Sequence, residues 1–182
     1  FRFCGWTDCR ARFLKIQRRL FRDSKQELTR AEYERLVAAA EAAGDHGLAL
    51  LMETICSTGI RVSEVQYITV EAAKNGKAEI ALKGKIRTIL LPSKLCRKLL
   101  KFAARQKTAS GAIFRAKSGN AMSRYQIWSK MKKLCERAGV DAEKVFPHNL
   151  RHLFATAFYR AYKDIVKLAD VLGHSSIETT RI

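Results

Sequence analysis

The chain has 182 residues, of which 35 are Lys or Arg and 17 are Asp or Glu, giving a formal net charge of +18 at pH 7. Because 47% of its residues are hydrophobic, the chain can bury a sizeable core, which excludes a disordered polyelectrolyte. No apolar stretch reaches the roughly 20 residues that a membrane span requires, so no membrane partner is expected. Five scattered cysteines without a CxxC pair predict reduced thiols in a cytosolic protein and no metal site.

The first half of the chain predicts helices. Residues 1–27 are basic with interleaved apolar side chains, which is typical of a linker or the end of a preceding domain. Thr29 followed three residues later by Glu32 forms a capping box that predicts the start of a helix. The nearly continuous apolar run 46–57, bounded by Gly59, predicts a buried helix.

The middle of the chain predicts a small sheet. Apolar and polar residues alternate over 78–82 and 87–91, on either side of a Lys-Gly-Lys turn, and this pattern indicates an antiparallel hairpin. Val70 and its neighbours are expected to add a third short strand. Capping residues and apolar periodicity then predict further helices at 93–106, 123–139, 147–161 and 164–172. The expected fold is therefore a mainly helical α+β domain around a small antiparallel sheet of about three strands.

The positive charge is concentrated in one part of the chain. Residues 74–133 contain 17 basic residues and a single acidic one, Glu79. A local excess of one sign is typical of proteins that bind the phosphate backbone of nucleic acids, although a solvated basic surface would also account for it. Charge alone does not distinguish DNA from RNA.

Two polar pairs are candidates for a site that binds an oxyanion. Glu64 lies three residues after Arg61 and can hold its guanidinium in one orientation, and His148 and Arg151 have the same spacing at the start of a predicted helix. Taken singly, the first pair is also an ordinary surface ion pair, and the second occurs readily by chance.

Four separated motifs give these residues a context, because in this order they resemble the catalytic domain of the tyrosine recombinases. This family includes phage and conjugative-transposon integrases and the chromosome-dimer resolvases. The similarity extends over roughly residues 28–182. The motifs are TGIRVSE around Arg61, the Lys-Gly-Lys hairpin followed by Arg87 and Pro92, HNLRHLFAT around His148 and Arg151, and LGHSSIETTRI around His174.

The resemblance implies a reaction and a set of roles. Arg61 and Arg151 would grip the non-bridging oxygens of a scissile DNA phosphate, with Glu64 supporting the first of them. Lys83, or alternatively Lys85, would be the general acid that protonates the departing 5′ oxygen. His148 would help to move the proton of the nucleophile, and His174 would hydrogen-bond the phosphate. Lys85 and Arg87 would contact DNA.

The tyrosine that serves as nucleophile in the family would fall one residue beyond the end of this sequence. The resemblance places a tyrosine nine residues after His174, at position 183, whereas the sequence ends at Ile182. Tyr159 and Tyr162 follow the apolar rhythm of their helix and are interpreted as packing residues. We therefore expect residues 28–182 to be a catalytic domain that lacks its nucleophile segment, and the 182-residue chain itself to be inactive.

The implied activity is site-specific DNA recombination or integration through a 3′-phosphotyrosine intermediate. The implied partners are duplex DNA and other recombinase protomers in a tetrameric synapse, in the cytoplasm or nucleoid of a bacterial or phage-infected cell. No metal or cofactor is implied, because the transesterification conserves bond energy. A type IB topoisomerase shares this chemistry, but the LGHSS-x-x-TT run favours the recombinase. The alternatives that stay open are a decayed homologue and a purely DNA-binding one. A tyrosine codon at position 183 would favour the enzyme over both, and any other codon would leave a DNA-binding protein.

Overall fold

The computed structural model describes residues 27–82, 85–116 and 118–173. Two 3-10 helices, at Val62–Tyr67 and Ala142–Lys144, separate some of the main elements. The α-helices are α1 (Arg30–Ala42), α2 (His46–Thr58), α3 (Val70–Asn75), α4 (Ser93–Arg105), α5 (Arg124–Ala138), α6 (Pro147–Tyr162) and α7 (Ile165–Leu172), and the strands are β1 (Lys77–Leu82) and β2 (Lys85–Leu90). Among these residues no helix is long and apolar enough to cross a bilayer.

Helix α2 is the centre of the fold. It packs against α1, α4, α5 and α6, and its side chains Leu51, Met52 and Ile55 are fully buried. The nearly continuous apolar run of its sequence is therefore explained, since a helix with other helices on most sides has little surface left for polar residues. The run ends at Gly59, which adopts the left-handed conformation with φ 66° and ψ 18°.

The predicted hairpin is confirmed. Strands β1 and β2 pair in antiparallel register, with Lys77 opposite Leu90 and Leu82 opposite Lys85. One face of the hairpin is buried through Ala78, Ile80 and Ile89.

The prediction of a third strand at Val70 is wrong. Val70 is the first residue of α3, whose N-terminus is capped by the Thr69 side chain accepting a hydrogen bond from the Ala72 amide. Thr69 itself makes an isolated antiparallel bridge with Ala112, away from the hairpin. The β-branched residues around Val70 favour a strand, but the Thr69 cap outweighs this propensity and a helix forms instead. The sheet of the described residues has two strands, and the mainly helical α+β class is confirmed.

Helices α6 and α7 form a second, smaller apolar cluster. Its buried members are Ala155, Leu168 and Leu172, and Phe154 packs against them. Tyr159 belongs to this cluster, as predicted. The prediction that Tyr162 packs in the same way is wrong, since this residue is 61% exposed, although its ring lies near Phe158.

Candidate active site

The C-terminal end of α2 carries the first element of the site. Gly59 ends the helix, and Arg61 stands immediately before the following 3-10 helix. The predicted pair is present: the Arg61 Nη1 atom donates to Glu64 Oε1 at 2.8 Å, and the Arg61 backbone amide donates to Glu64 Oε2 at 2.8 Å. Glu64 is only 1% exposed, whereas 41% of the Arg61 side chain is accessible. The Glu64 carboxylate therefore holds the Arg61 guanidinium in one orientation, and the exposed part of the Arg61 side chain stays accessible to a ligand.

Helix α6 brings the second arginine to the same place. Pro147 occupies the first turn of α6, a position that suits proline, and His148 follows it and is exposed. Arg151 lies one turn further along and is only 6% exposed. Its Nη1 donates to the Gly59 carbonyl at 2.6 Å and its Nη2 to the Leu172 carbonyl at 2.7 Å.

A third arginine, Arg87 on β2, joins the cluster. Its Nη2 donates to Glu64 Oε2 at 2.5 Å, and its Nη1 donates to the carbonyls of Val171, at 3.4 Å, and Leu172. The side chain is 16% exposed. Arg87 therefore shares the single carboxylate of the cluster with Arg61.

The last turn of α7 supplies acceptors to all three arginines. The Leu172 carbonyl accepts from Arg87 and Arg151, and the Gly173 carbonyl accepts from Arg61 Nη2 at 3.1 Å. These carbonyls carry the partial negative charge of the C-terminal end of a helix, which attracts cations. Sequence reasoning missed them. The one available signal was the Leu-Gly pair at 172–173, which indicates a helix C-terminus with free carbonyl groups.

The cluster is strongly cationic. Among the described residues, the guanidinium groups of Arg61, Arg87 and Arg151 lie close enough to the Glu64 carboxylate, and to one another, for their charges to interact. Burial lowers the pKa of Arg151 to about 10, and repulsion by Arg61 and Arg87 acts in the same direction. Burial likewise lowers the pKa of Arg87, with Arg61 contributing and Glu64 opposing. An anion at this place would relieve the repulsion between the arginines.

The other predicted site residues are only partly described. Lys83 and His174 lie outside the described residues, and Lys85 is the first residue of β2. The structure thus brings Arg61, Glu64, Arg87 and Arg151 together, and leaves the roles of the lysines and of His174 as predictions. The expectation that Arg87 contacts DNA also stays a prediction, although its observed contacts are internal.

Sequence and structure comparisons give a consistent result. The Phage integrase family matches residues 26–182 of the chain. The tyrosine recombinase XerD of Corynebacterium glutamicum is 32% identical over 140 residues, which are 72% of this chain and 46% of that protein. This chain spans about half the length of the curated relatives that it matches.

Two solved structures share the fold. A XerH site-specific recombinase bound to its difH substrate in a pre-cleavage complex has a TM-score of 0.71 and 25% identity, covering 86% of this chain and 49% of that one. A lambda integrase tetramer bound to a Holliday junction has a TM-score of 0.68 and 20% identity, covering 86% of this chain and 48% of that one.

Proposed function

Since the chain belongs to the phage integrase family, we propose that it is the catalytic part of a site-specific recombinase that cuts and rejoins duplex DNA. Residues 28–182 would be the catalytic domain without its nucleophile segment, and residues 1–27 the linker from a core-binding domain. The observation that carries this proposal is the convergence of Arg61 and Arg151, from two separate helical elements, on one cationic and partly open site.

The charge of the site suits a phosphodiester. The arginine-rich cluster matches the additional negative charge that develops on the phosphorus oxygens when a nucleophile adds. Arg61 has five N–H groups and uses two of them on Glu64 and Gly173, so its guanidinium can also donate to a phosphate oxygen. Because Arg61 and Arg151 are already held by protein acceptors, little reorganisation is needed when the transition state forms.

The reaction then follows in two balanced steps. The hydroxyl oxygen of a tyrosine at position 183 forms a bond to phosphorus, and the bond from phosphorus to the 5′ oxygen breaks. His148 assists removal of the tyrosine proton, while Lys83, or alternatively Lys85, gives a proton to the departing 5′ oxygen. His174 donates to the phosphate. In the second step the 5′ hydroxyl oxygen of another strand bonds phosphorus, and the bond from phosphorus to the tyrosine oxygen breaks. The lysine takes the proton of the hydroxyl and His148 assists its return to the tyrosine oxygen, in the reverse of the first step.

The proposed partners are duplex DNA and further protomers of the same recombinase. The XerH structure contains its DNA substrate, and the lambda integrase structure is a tetramer on a four-way junction. The basic block at residues 74–133 supports DNA binding, because it includes the hairpin beside the arginine cluster. A protein with this role would act in the cytoplasm, at the nucleoid.

A suicide substrate tests the proposal. A nicked duplex that loses a short strand on cleavage should trap a covalent adduct with a chain extended through a tyrosine at position 183, and none with the 182-residue chain. Arg61→Ala or Arg151→Ala in the extended chain should reduce the adduct by about 100-fold to 1,000-fold. Arg160→Gln, an exposed arginine on α6, is the matched control and should react normally.

Other outcomes have equally definite meanings. Duplex binding by the extended chain without any adduct would support the DNA-binding homologue and refute the enzyme. An adduct with the 182-residue chain would show that another residue is the nucleophile.

A further inference from the structure

Helix α4 carries a row of basic side chains on its outer side. The row consists of Lys94, Arg97, Lys98, Lys101 and Arg105, which are all exposed, and the helix contains no acidic residue. Because successive helical residues are about 100° apart, the row occupies a sector of roughly 100°, opposite the side of α4 that is buried in the core. This row, the basic face of α4, extends along about 16 Å of helix.

The protein itself neutralises little of the basic face. Lys98 donates to both carboxylate oxygens of Glu53, at 2.7 and 2.8 Å. Within the part of the chain that the structure describes, the other four side chains have no ion pair and no hydrogen bond. Like charges three or four residues apart on a helix repel each other and destabilise it. The basic face therefore lowers the stability of the fold, and an anionic partner would offset that loss.

The basic face leads away from the arginine cluster. Lys98 of α4 contacts Glu53 in the middle of α2. Further along α4, Phe102 lies 2.9 Å from a Cβ atom built on Gly47, in the first turn of α2, so the two helices are antiparallel. The arginine cluster begins at Gly59, at the other end of α2, and a helix rises by about 18 Å between these two glycines. The C-terminal end of α4 is therefore far from the site proposed to hold the scissile phosphate.

A recess with apolar lining lies at this far end of the basic face. Its volume is about 310 Å³, and its apolar lining includes Phe102, Phe114 and Met122. Arg105, the last residue of the basic face, lines the same recess, and the lining carboxylate of Asp45 is paired with Lys130 at 2.6 Å. Protein pockets that hold a ligand begin at about 300 Å³, so the recess has room for one bulky side chain. The phosphates and sugars of duplex DNA offer no such apolar group, whereas a protein does.

We propose that the basic face of α4 and the recess at its end bind an acidic segment of a partner protein, which places one bulky apolar side chain in the recess. The carboxylates of the segment pair with the basic face, which steers association, and the buried anchor supplies most of the affinity. This inference goes beyond the proposed function, because it involves no cleavage chemistry and leaves the arginine cluster open to DNA. The remaining basic residues of block 74–133 stay available to the duplex.

A synthetic peptide tests this surface. The peptide consists of Asp and Glu residues around a single Phe and carries fluorescein, and its anisotropy is recorded as the 182-residue chain is added. The triple variant Arg97→Gln/Lys101→Gln/Arg105→Gln should weaken binding by about 10-fold or more. Replacing the Phe of the peptide by Ser should weaken binding by about 10-fold to 100-fold, because the recess loses its anchor.

A matched variant separates this surface from general attraction to a basic protein. Arg160→Gln/Lys163→Gln/Lys167→Gln removes the same charge from exposed positions of α6, its C-cap and α7, and should change peptide binding little. Equal losses in the two triple variants, or equal binding of the Phe and Ser peptides, would overturn the proposal.

Cross-linking locates the anchor. A peptide with benzoylphenylalanine in place of Phe should, on irradiation, become attached to a residue of the recess such as Met122, as identified by mass spectrometry. Attachment at the arginine cluster would overturn the proposal.

Duplex DNA is the competing partner for the basic face. If this face bound DNA, the α4 triple variant would bind duplex more weakly, with a salt slope lower by about one for each lost phosphate contact, and duplex would displace the peptide. That result would overturn the proposal while leaving the proposed function intact. Normal peptide binding by an extended chain that forms no adduct would instead refute the proposed function alone.

Discussion

Gly59→Ala tests whether the arginine cluster depends on the close approach of α6 and α7 to the end of α2. Gly59 is the left-handed residue that ends α2, and its carbonyl accepts the bond from Arg151 Nη1 at 2.6 Å. A Cβ at this position would lie 2.6 Å from Phe154 Cε1, nearer still to Phe154 Cδ1, and 3.0 Å from Leu172 Cδ2. The absent side chain therefore allows α6 and α7 to contact the end of α2, where Arg61 follows.

The expected loss of stability has two parts. A Cβ in the left-handed conformation costs roughly 1–2 kcal/mol. Inserting it against Phe154 and Leu172 adds about 1–3 kcal/mol of overpacking, so the total is about 2–5 kcal/mol. Gly76→Ala is the matched control, since Gly76 also ends a helix with a φ of +68° but a Cβ there meets nothing within 4 Å. Gly76→Ala should therefore show only the cost of placing a Cβ in the left-handed conformation.

Urea unfolding of the 182-residue chain, followed by circular dichroism, measures both variants at a constant denaturant slope. The loss in free energy of unfolding should be about 1–3 kcal/mol larger for Gly59→Ala than for Gly76→Ala. Because Phe154 stands one turn after Arg151 on α6, the same change should lower adduct formation by the extended chain by about 100-fold. Equal destabilisation by the two variants would refute the argument from close approach.

Salt should weaken duplex binding by about 1,000-fold or more between about 50 and 200 mM, if several cations of block 74–133 neutralise phosphates; a log–log plot without slope would contradict this. Lys83→Ala should lose cleavage of ordinary DNA and recover it on a substrate with sulfur at the 5′-bridging position, whose thiolate leaves without needing a proton, whereas Lys85→Ala should chiefly weaken binding; the reverse would make Lys85 the acid. Burial raises the pKa of the Cys56 thiol from 9.0 to about 11. The unfolded chain therefore ionises first, and the free energy of unfolding should fall by about 2 kcal/mol between pH 9 and 11. Urea titrations should show a smaller fall in Cys56→Ala, and equal falls would exclude the thiol as the cause.

Local signals in the sequence predicted most of the helices and the hairpin. The Thr29–Glu32 capping box is present at the start of α1, and Ser123 with Gln126 forms another at the start of α5. Such boxes are reliable because both hydrogen bonds are made within four residues and need no tertiary contact. The Val70 prediction failed for a related reason, since it weighed strand propensity above the cap that Thr69 provides.

From the sequence, contacts of the site could be predicted only between residues that are close together in the chain. The Arg61–Glu64 pair spans three residues, and it was predicted and is present. The partners of Arg87 lie 23 and 85 residues away, and the acceptors on α7 are backbone carbonyls that no residue type identifies. Only the packing of α6 and α7 on the end of α2 brings them together. The motif resemblance supplied the residues but not the arrangement by which Glu64 serves two arginines.

The most direct test of the central claim is the chemical identity of the covalent linkage. The extended chain is trapped on a suicide duplex in buffer containing EDTA, and the adduct is digested and sequenced by mass spectrometry. We expect a tyrosine at position 183 joined to a 3′-phosphate, with a free 5′ hydroxyl on the released strand. A linkage to Tyr159 or Tyr162, a 5′-phosphate linkage, or an adduct that forms only with added metal would contradict the account.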